Sequence, residues 1–182
     1  MRSRTIPVGI LALACASALI GGCRSVAGPA RTSGDDVDLA LRLQAEGKGG
    51  ALRRHVDVTR RGRRADAAVL IAPVSVRASL AGLSGRYILR ISAAPVFNVG
   101  DGMQMDLAIS DSRGRRDMVS RYFDAGRKAA DRAWIPIEVP LALSGGGDVY
   151  LDINVSGGPQ GDLVADWLAF AEIVMVRAKD KQ

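Results

Sequence analysis

From residue 37 onward the chain alternates apolar and polar positions with a period of two and seldom holds a helical period. Val37-Asp38-Leu39-Ala40-Leu41-Arg42-Leu43 places an apolar residue at every odd position, which predicts a half-buried strand. Tyr87, Leu89 and Ile91 oppose Ile88, Arg90 and Ser92, and Val149, Leu151, Ile153 and Val155 oppose Tyr150, Asp152 and Asn154. Comparable runs at 67–72, 75–80, 103–110, 117–123, 134–139 and 170–177 bring the expected strands to about nine. Turn residues separate them: Gly100-Asp101-Gly102, Ser112-Arg113-Gly114, Ser144-Gly145-Gly146-Gly147-Asp148 and Gly157-Gly158-Pro159. The best helical stretch, 126–132, is too short to stand alone. With no visible repeat, propellers and solenoids are set aside, and the pattern predicts an all-β antiparallel sandwich or jelly roll.

One segment breaks this pattern. Residues 6–20 are continuously apolar after Arg2 and Arg4, and they end in Leu19-Ile20-Gly21-Gly22-Cys23. A branched apolar residue, two small ones and a cysteine resemble the lipobox of bacterial lipoproteins. The resemblance implies a signal peptide at 1–22, cleavage before Cys23, and a diacylglycerol thioether and a further acyl chain (palmitate or similar) on Cys23. Several acyl chains would then anchor the protein in the lipid bilayer. An uncleaved anchor is the competing reading, but 6–22 is short for a span and contains Pro7. Arg24 follows where an aspartate would resemble an inner-membrane retention signal, so the outer membrane is expected in a two-membrane bacterium. Residues 23–36 then form a flexible tether and 37–182 the domain.

Cys15 is the second of the two cysteines and lies within the segment to be removed. With Cys23 lipidated, the mature chain has no thiol for catalysis, zinc or a disulfide. The domain's length suits a single core. Without Arg2 and Arg4 the basic side chains still outnumber the 19 acidic ones. That excess favours anionic envelope polymers over nucleic acid, which is not expected as a partner.

The last third resembles a galactose-binding-like jelly roll of the kind found in carbohydrate-binding modules. Trp134-Ile135-Pro136-Ile137-Glu138-Val139-Pro140-Leu141, a glycine-rich turn, Val149-Tyr150-Leu151-Asp152-Ile153, Gly157-Gly158-Pro159 and Asp166-Trp167 carry the resemblance. Gly100-Asp101-Gly102-Met103 and the runs before it extend it over about 65–177. The chain departs from the family's D-W-A-x-W-G-x-P at Leu168, Phe170 and Glu172. The resemblance implies sugar binding at end loops and a structural calcium on Asp101, Asp162 and Asp166, with Asp106 as a further oxygen donor. For Trp134 and Trp167 the expected role is to cap the core, with the Trp134 indole N–H on a carbonyl.

Catalysis finds little support. His55 is the lone histidine, preceded by Arg53 and Arg54, and no Gly-x-Ser-x-Gly elbow occurs. Glu46, Glu138 and Glu172 are the only glutamates, and no carboxylate pair stands out for glycoside hydrolysis. No enzyme is therefore expected. Arg53, Arg54, Arg60, Arg61, Arg63 and Arg64 form either an anion-gripping cluster or a solvated hairpin. Arg60, Arg61, Arg63 and Arg64 are the candidates for anion contact. Phe97, Asn98, Asp101 and Tyr122 are the candidates for sugar contact, with Phe123 and Tyr150 as other aromatics. The expected function is non-catalytic binding of an envelope carbohydrate or glycopolymer. The alternative is an adaptor that binds an envelope protein through an apolar sandwich face.

Overall fold

The computed structural model describes residues 36–46, 50–161, 163 and 165–179. The expected signal peptide and Cys23 lie outside the described residues, as does Asp162. Within residues 32–182, eleven strands run in chain order. They are β1 Val37–Asp38, β2 Gln44–Glu46, β3 Ala51–Arg60, β4 Arg63–Ile71, β5 Val74–Ser79 and β6 Ser84–Pro95. Then follow β7 Met103–Asp111, β8 Gly114–Phe123, β9 Ile135–Ser144, β10 Tyr150–Gly157 and β11 Trp167–Arg177. One sheet has the order β3-β4-β11-β6-β9 with β1 also on β11, and the other has β2-β5-β10-β7-β8. Every pairing is antiparallel. This is the jelly-roll β-sandwich that the alternation predicts.

The core lies between the sheets. Leu151, Ile153 and Val155 from β10 and Met105 and Leu107 from β7 meet Leu89 and Ile91 from β6 and Leu168, Phe170, Ile173 and Met175 from β11. A shift in register between Phe170 and Glu172 explains why Phe170 and Ile173, three apart, share a face. Phe170 is 1% exposed, so the residue that departs from the family pattern is a core side chain.

The expected strand over 37–43 is interrupted. Asp38 accepts the Ala40 N–H at 2.8 Å, and Ala40–Arg42 turns as a 3-10 helix. The turn sends Leu39 and Leu43 fully into the core and leaves Leu41 66% exposed, an outcome no continuous strand permits. Similarly, only Ala129–Arg132 of the 126–132 stretch is helical, as a single 3-10 turn. The arginine-rich run forms the β3–β4 hairpin, closed by Arg61 and Gly62 at φ 45° and 78°.

The long connections gather at one pole: 96–102 between β6 and β7, 124–134 between β8 and β9, and 158–166 between β10 and β11. The opposite pole holds short turns, the point where β1 enters beside Met175, and the end of β11. On the edge strand β9, Pro136 and Pro140 occupy positions of the same parity, where a missing N–H costs nothing if it faces the free edge.

Candidate functional site

The three long connections are locked by polar bonds. Asp131 is buried and accepts the Asp124 N–H at 2.9 Å and an Arg121 N–H at 3.3 Å. Asp124 accepts the Arg127 N–H at 3.0 Å, and Arg132 donates to the carbonyls of Ala125 and Gly126 at 2.7 and 2.8 Å. A loop carrying four such bonds within residues 124–132, and a fifth from Arg121, has little freedom left, so it presents its outer side chains in fixed positions.

Trp134 closes this pole from beneath. It is 9% exposed, packs with Val58, Ala67, Val69, Ala94 and Ala169, and donates its indole N–H to the Arg63 carbonyl at 3.1 Å. The bond to a carbonyl is as expected, but Trp134 covers the outside of the six-stranded sheet rather than an end of the core, and it ties the β3–β4 hairpin to the loop before β9. Trp167 is half-buried and takes Phe97 edge-on, with ring centroids 5.3 Å apart at 70°.

The four arginines proposed for anion contact are separated by this arrangement. Arg60 is 8% exposed and donates to the Val96 carbonyl at 3.2 Å and to the Asn98 side-chain oxygen. Its burial, then Arg132 nearby, lowers its pKa from the ordinary arginine value. Arg60 is therefore a clamp on the 96–102 loop and cannot grip a polymer directly. Arg61 donates to the Ala129 carbonyl and remains exposed. Arg64 pairs with Asp57 along the outside of the hairpin, and Arg63 is exposed beside it. The sequence grouped these residues by adjacency, whereas alternation along β3 and β4 sends them to different surroundings.

Of the four candidates for sugar contact, Asp101 and Tyr122 meet, whereas Phe97 packs on Trp167 and Asn98 accepts from Arg60. Phe97 is 38% exposed at the tip of its loop. Tyr122 donates its hydroxyl to the Asp101 carbonyl, and Asp101 accepts the Gln160 N–H at 2.6 Å, which joins the loop to the 158–166 connection. Glycine is required beneath Tyr122: Gly102 has φ 95°, and a Cβ there would strike the Tyr122 hydroxyl and the Phe123 carbonyl. Burial, then the Asp124 and Asp101 carboxylates, raises the Tyr122 phenol above its ordinary pKa. Gln104, Tyr122, Gly157, Gly158 and Pro159 line an open cavity of about 390 Å³ at the rim of the pole. Of the other aromatics, Phe123 is in the core, and Tyr150 lies under the Arg77 guanidinium at 4.8 Å.

Sequence reasoning missed Lys128, whose ammonium lies 5.6 Å from the Tyr122 ring centroid, and the exposed Arg127 beside it. The visible signal was Gly126-Arg127-Lys128, read only as part of a helical stretch.

For the implied calcium, the described residues offer too few ligands together. Asp101 is buried with Oδ1 lacking a described hydrogen-bond partner, and Asp166 is fully buried. Asp106 sits on the β7 face, bonded by Gln104 and Ser120 at 3.2 and 2.7 Å. Among the described residues no group of three His, Cys, Asp or Glu side chains forms a metal site. The expected calcium leans on Asp162, which lies outside the described residues. His55 contacts Asp66 at 3.0 Å with both side chains largely exposed, the opposite of a dry catalytic imidazole.

No protein-family model and no curated protein sequence matches this chain. Solved structures share its fold. The CBM51 module of Clostridium perfringens GH95, in complex with methyl-galactose, superposes with TM-score 0.55 at 14% identity over 78% of this chain and 99% of that one. The CBM22-1 xylan-binding domain from Paenibacillus barcinonensis gives 0.50 at 10% identity over 79% and 94%. The CBM51-2 and INT domains of Clostridium perfringens ZmpB give 0.55 at 8% identity, and there the chain spans 31% of the neighbour. The chain thus has the jelly-roll fold of carbohydrate-binding modules.

Proposed function

We propose that this protein is a non-catalytic lipoprotein of a bacterial envelope whose jelly-roll domain binds carbohydrate at the loop pole. The observation that carries this reading is the locked pole itself, with Phe97 exposed at its tip and the Tyr122 cavity at its rim. Fold neighbours solved with methyl-galactose or described as xylan-binding support it. Fold alone would be a weaker warrant. An adaptor would need an exposed apolar sheet face. Here Val69, Ala94 and Ala169 on the outside of one sheet are buried, and Arg77, Asp152 and Asp106 occupy the outside of the other.

A glycan array probed with the purified protein should give discrete hits, lost in the Phe97→Ala variant at unchanged melting temperature. An array without hits would refute the reading.

Cys23 supplies the membrane anchor in this proposal. Cys23→Ser should release the protein from the membrane fraction with the domain folded. Retention at precursor mass would instead identify an uncleaved span.

A further inference from the structure

Charge at the loop pole is sorted by depth. Asp101, Asp124, Asp131 and Asp166 are 8%, 5%, 4% and 0% exposed. Their oxygens point into the loop network: Asp101 toward Gln160, Asp124 toward Arg127 N–H, Asp131 toward Arg121. Among the described residues, the charges that reach solvent on the 124–134 connection and at the neighbouring β3–β4 turn are of the opposite sign. Arg61, Arg127 and Lys128 are exposed, and none forms an ion pair among the described residues.

Beneath them lies a cation with no ion pair among the described residues. The Arg60 guanidinium is buried, bonded only to the neutral Val96 and Asn98 oxygens, and its Nε has no described partner. Arg132, close enough to disfavour its charge, is likewise held by carbonyls alone. A buried charge without a counter-ion is costly, and a nearby anion would relieve that cost.

Resting on the carbohydrate reading, we propose that the glycan bound at this pole is anionic, its carboxylate or phosphate groups met by Arg61, Arg127 and Lys128. Guanidinium forks suit either group, and the Lys128 ammonium stands beside the Tyr122 ring that lines the cavity. Of the hairpin arginines only Arg61 then keeps the anion-binding role, joined by Arg127 and Lys128 from the connection between β8 and β9.

Affinity electrophoresis of the purified protein in polygalacturonate, a phosphomannan and neutral dextran and galactan tests this. Retardation is expected in one or both anionic polymers, and which one distinguishes carboxylate from phosphate. Three released counterion contacts would weaken binding roughly twenty- to fortyfold between 50 and 200 mM salt, by analogy with polyanionic nucleic acids. The Arg61→Gln/Arg127→Gln/Lys128→Gln variant should lose at least about tenfold in affinity and most of that salt dependence. Arg113→Gln/Arg116→Gln/Arg177→Gln, at and toward the opposite pole, removes the same charge and should bind as wild type. Equal weakening by both variants would overturn the proposal in favour of net charge. Binding to a neutral polymer, undiminished in the first variant, would overturn the anionic inference and leave carbohydrate binding standing. Retardation by no polymer would overturn it as well, and the glycan array would then decide the underlying reading. Sedimentation with phosphatidylglycerol vesicles and with no glycan would assign the pole to a bilayer instead.

Discussion

The two sheets of the sandwich share one core and differ on their outer faces. Outside the five-stranded sheet, Arg77 bridges Glu46 and Asp152 at 3.0 and 2.7 Å, Ser110 donates to Asp152, and Gln104 and Ser120 bond Asp106. Outside the six-stranded sheet, Val69, Ala94 and Ala169 are at most 1% exposed, roofed by Trp134 and by Val58 of the β3–β4 hairpin. The sequences record the difference. Met103-Gln104-Met105-Asp106-Leu107 alternates as a strand wet on one side must, whereas Ala67-Ala68-Val69-Leu70-Ile71 runs apolar throughout, as a strand covered on both sides does. The covered face is what carries the hairpin to the loop pole, so support for the site comes from β4 and β11, the strands that alternate least.

The largest test of this contrast removes the roof. Trp134→Ala should cost about 3–5 kcal/mol in urea unfolding, because it opens a buried apolar site and strands the Arg63 carbonyl. A loss below about 1 kcal/mol would mean the second face needs no cover. A smaller effect is expected on the polar face. Arg77→Ala should cost about 1–3 kcal/mol, since the Asp152 side chain, 10% exposed, would keep only Ser110. Adding Asp152→Ala should recover part of that loss, and strict additivity in the double-mutant cycle would show the two residues uncoupled.

These differences also explain what the sequence revealed. Strands with one wet face were legible from period two, and so was the architecture. The β3 strand was hidden because Ala51-Leu52-Arg53-Arg54-His55-Val56 contains a register shift at Arg53–Val56, with His55 at φ 57°, which breaks the alternation. The turn after Asp38 was hidden because Leu39 and Leu43 fit either a strand or one tight turn, and the Asp38 side chain decides between them. For the proposed site, Phe97, Asn98 and Asp101 stood out as loop residues and Tyr122 as an aromatic near a strand end. Arg60 was misassigned because its depth depends on the hairpin folding toward Val96, a long-range event without local signature. Lys128 and Arg127 gained meaning only once Tyr122 was placed beside them.

The prolines of β9 bear on how copies of this protein tolerate crowding. A sandwich ends in open strand borders, and each border is a template on which a neighbour's backbone can zip. On β9, Pro136 and Pro140 withhold two amide donors four residues apart, and Glu138 between them is exposed. An incoming chain would meet a ladder with missing rungs and a carboxylate in the gap. Two copies brought side by side along this border therefore remain separate molecules.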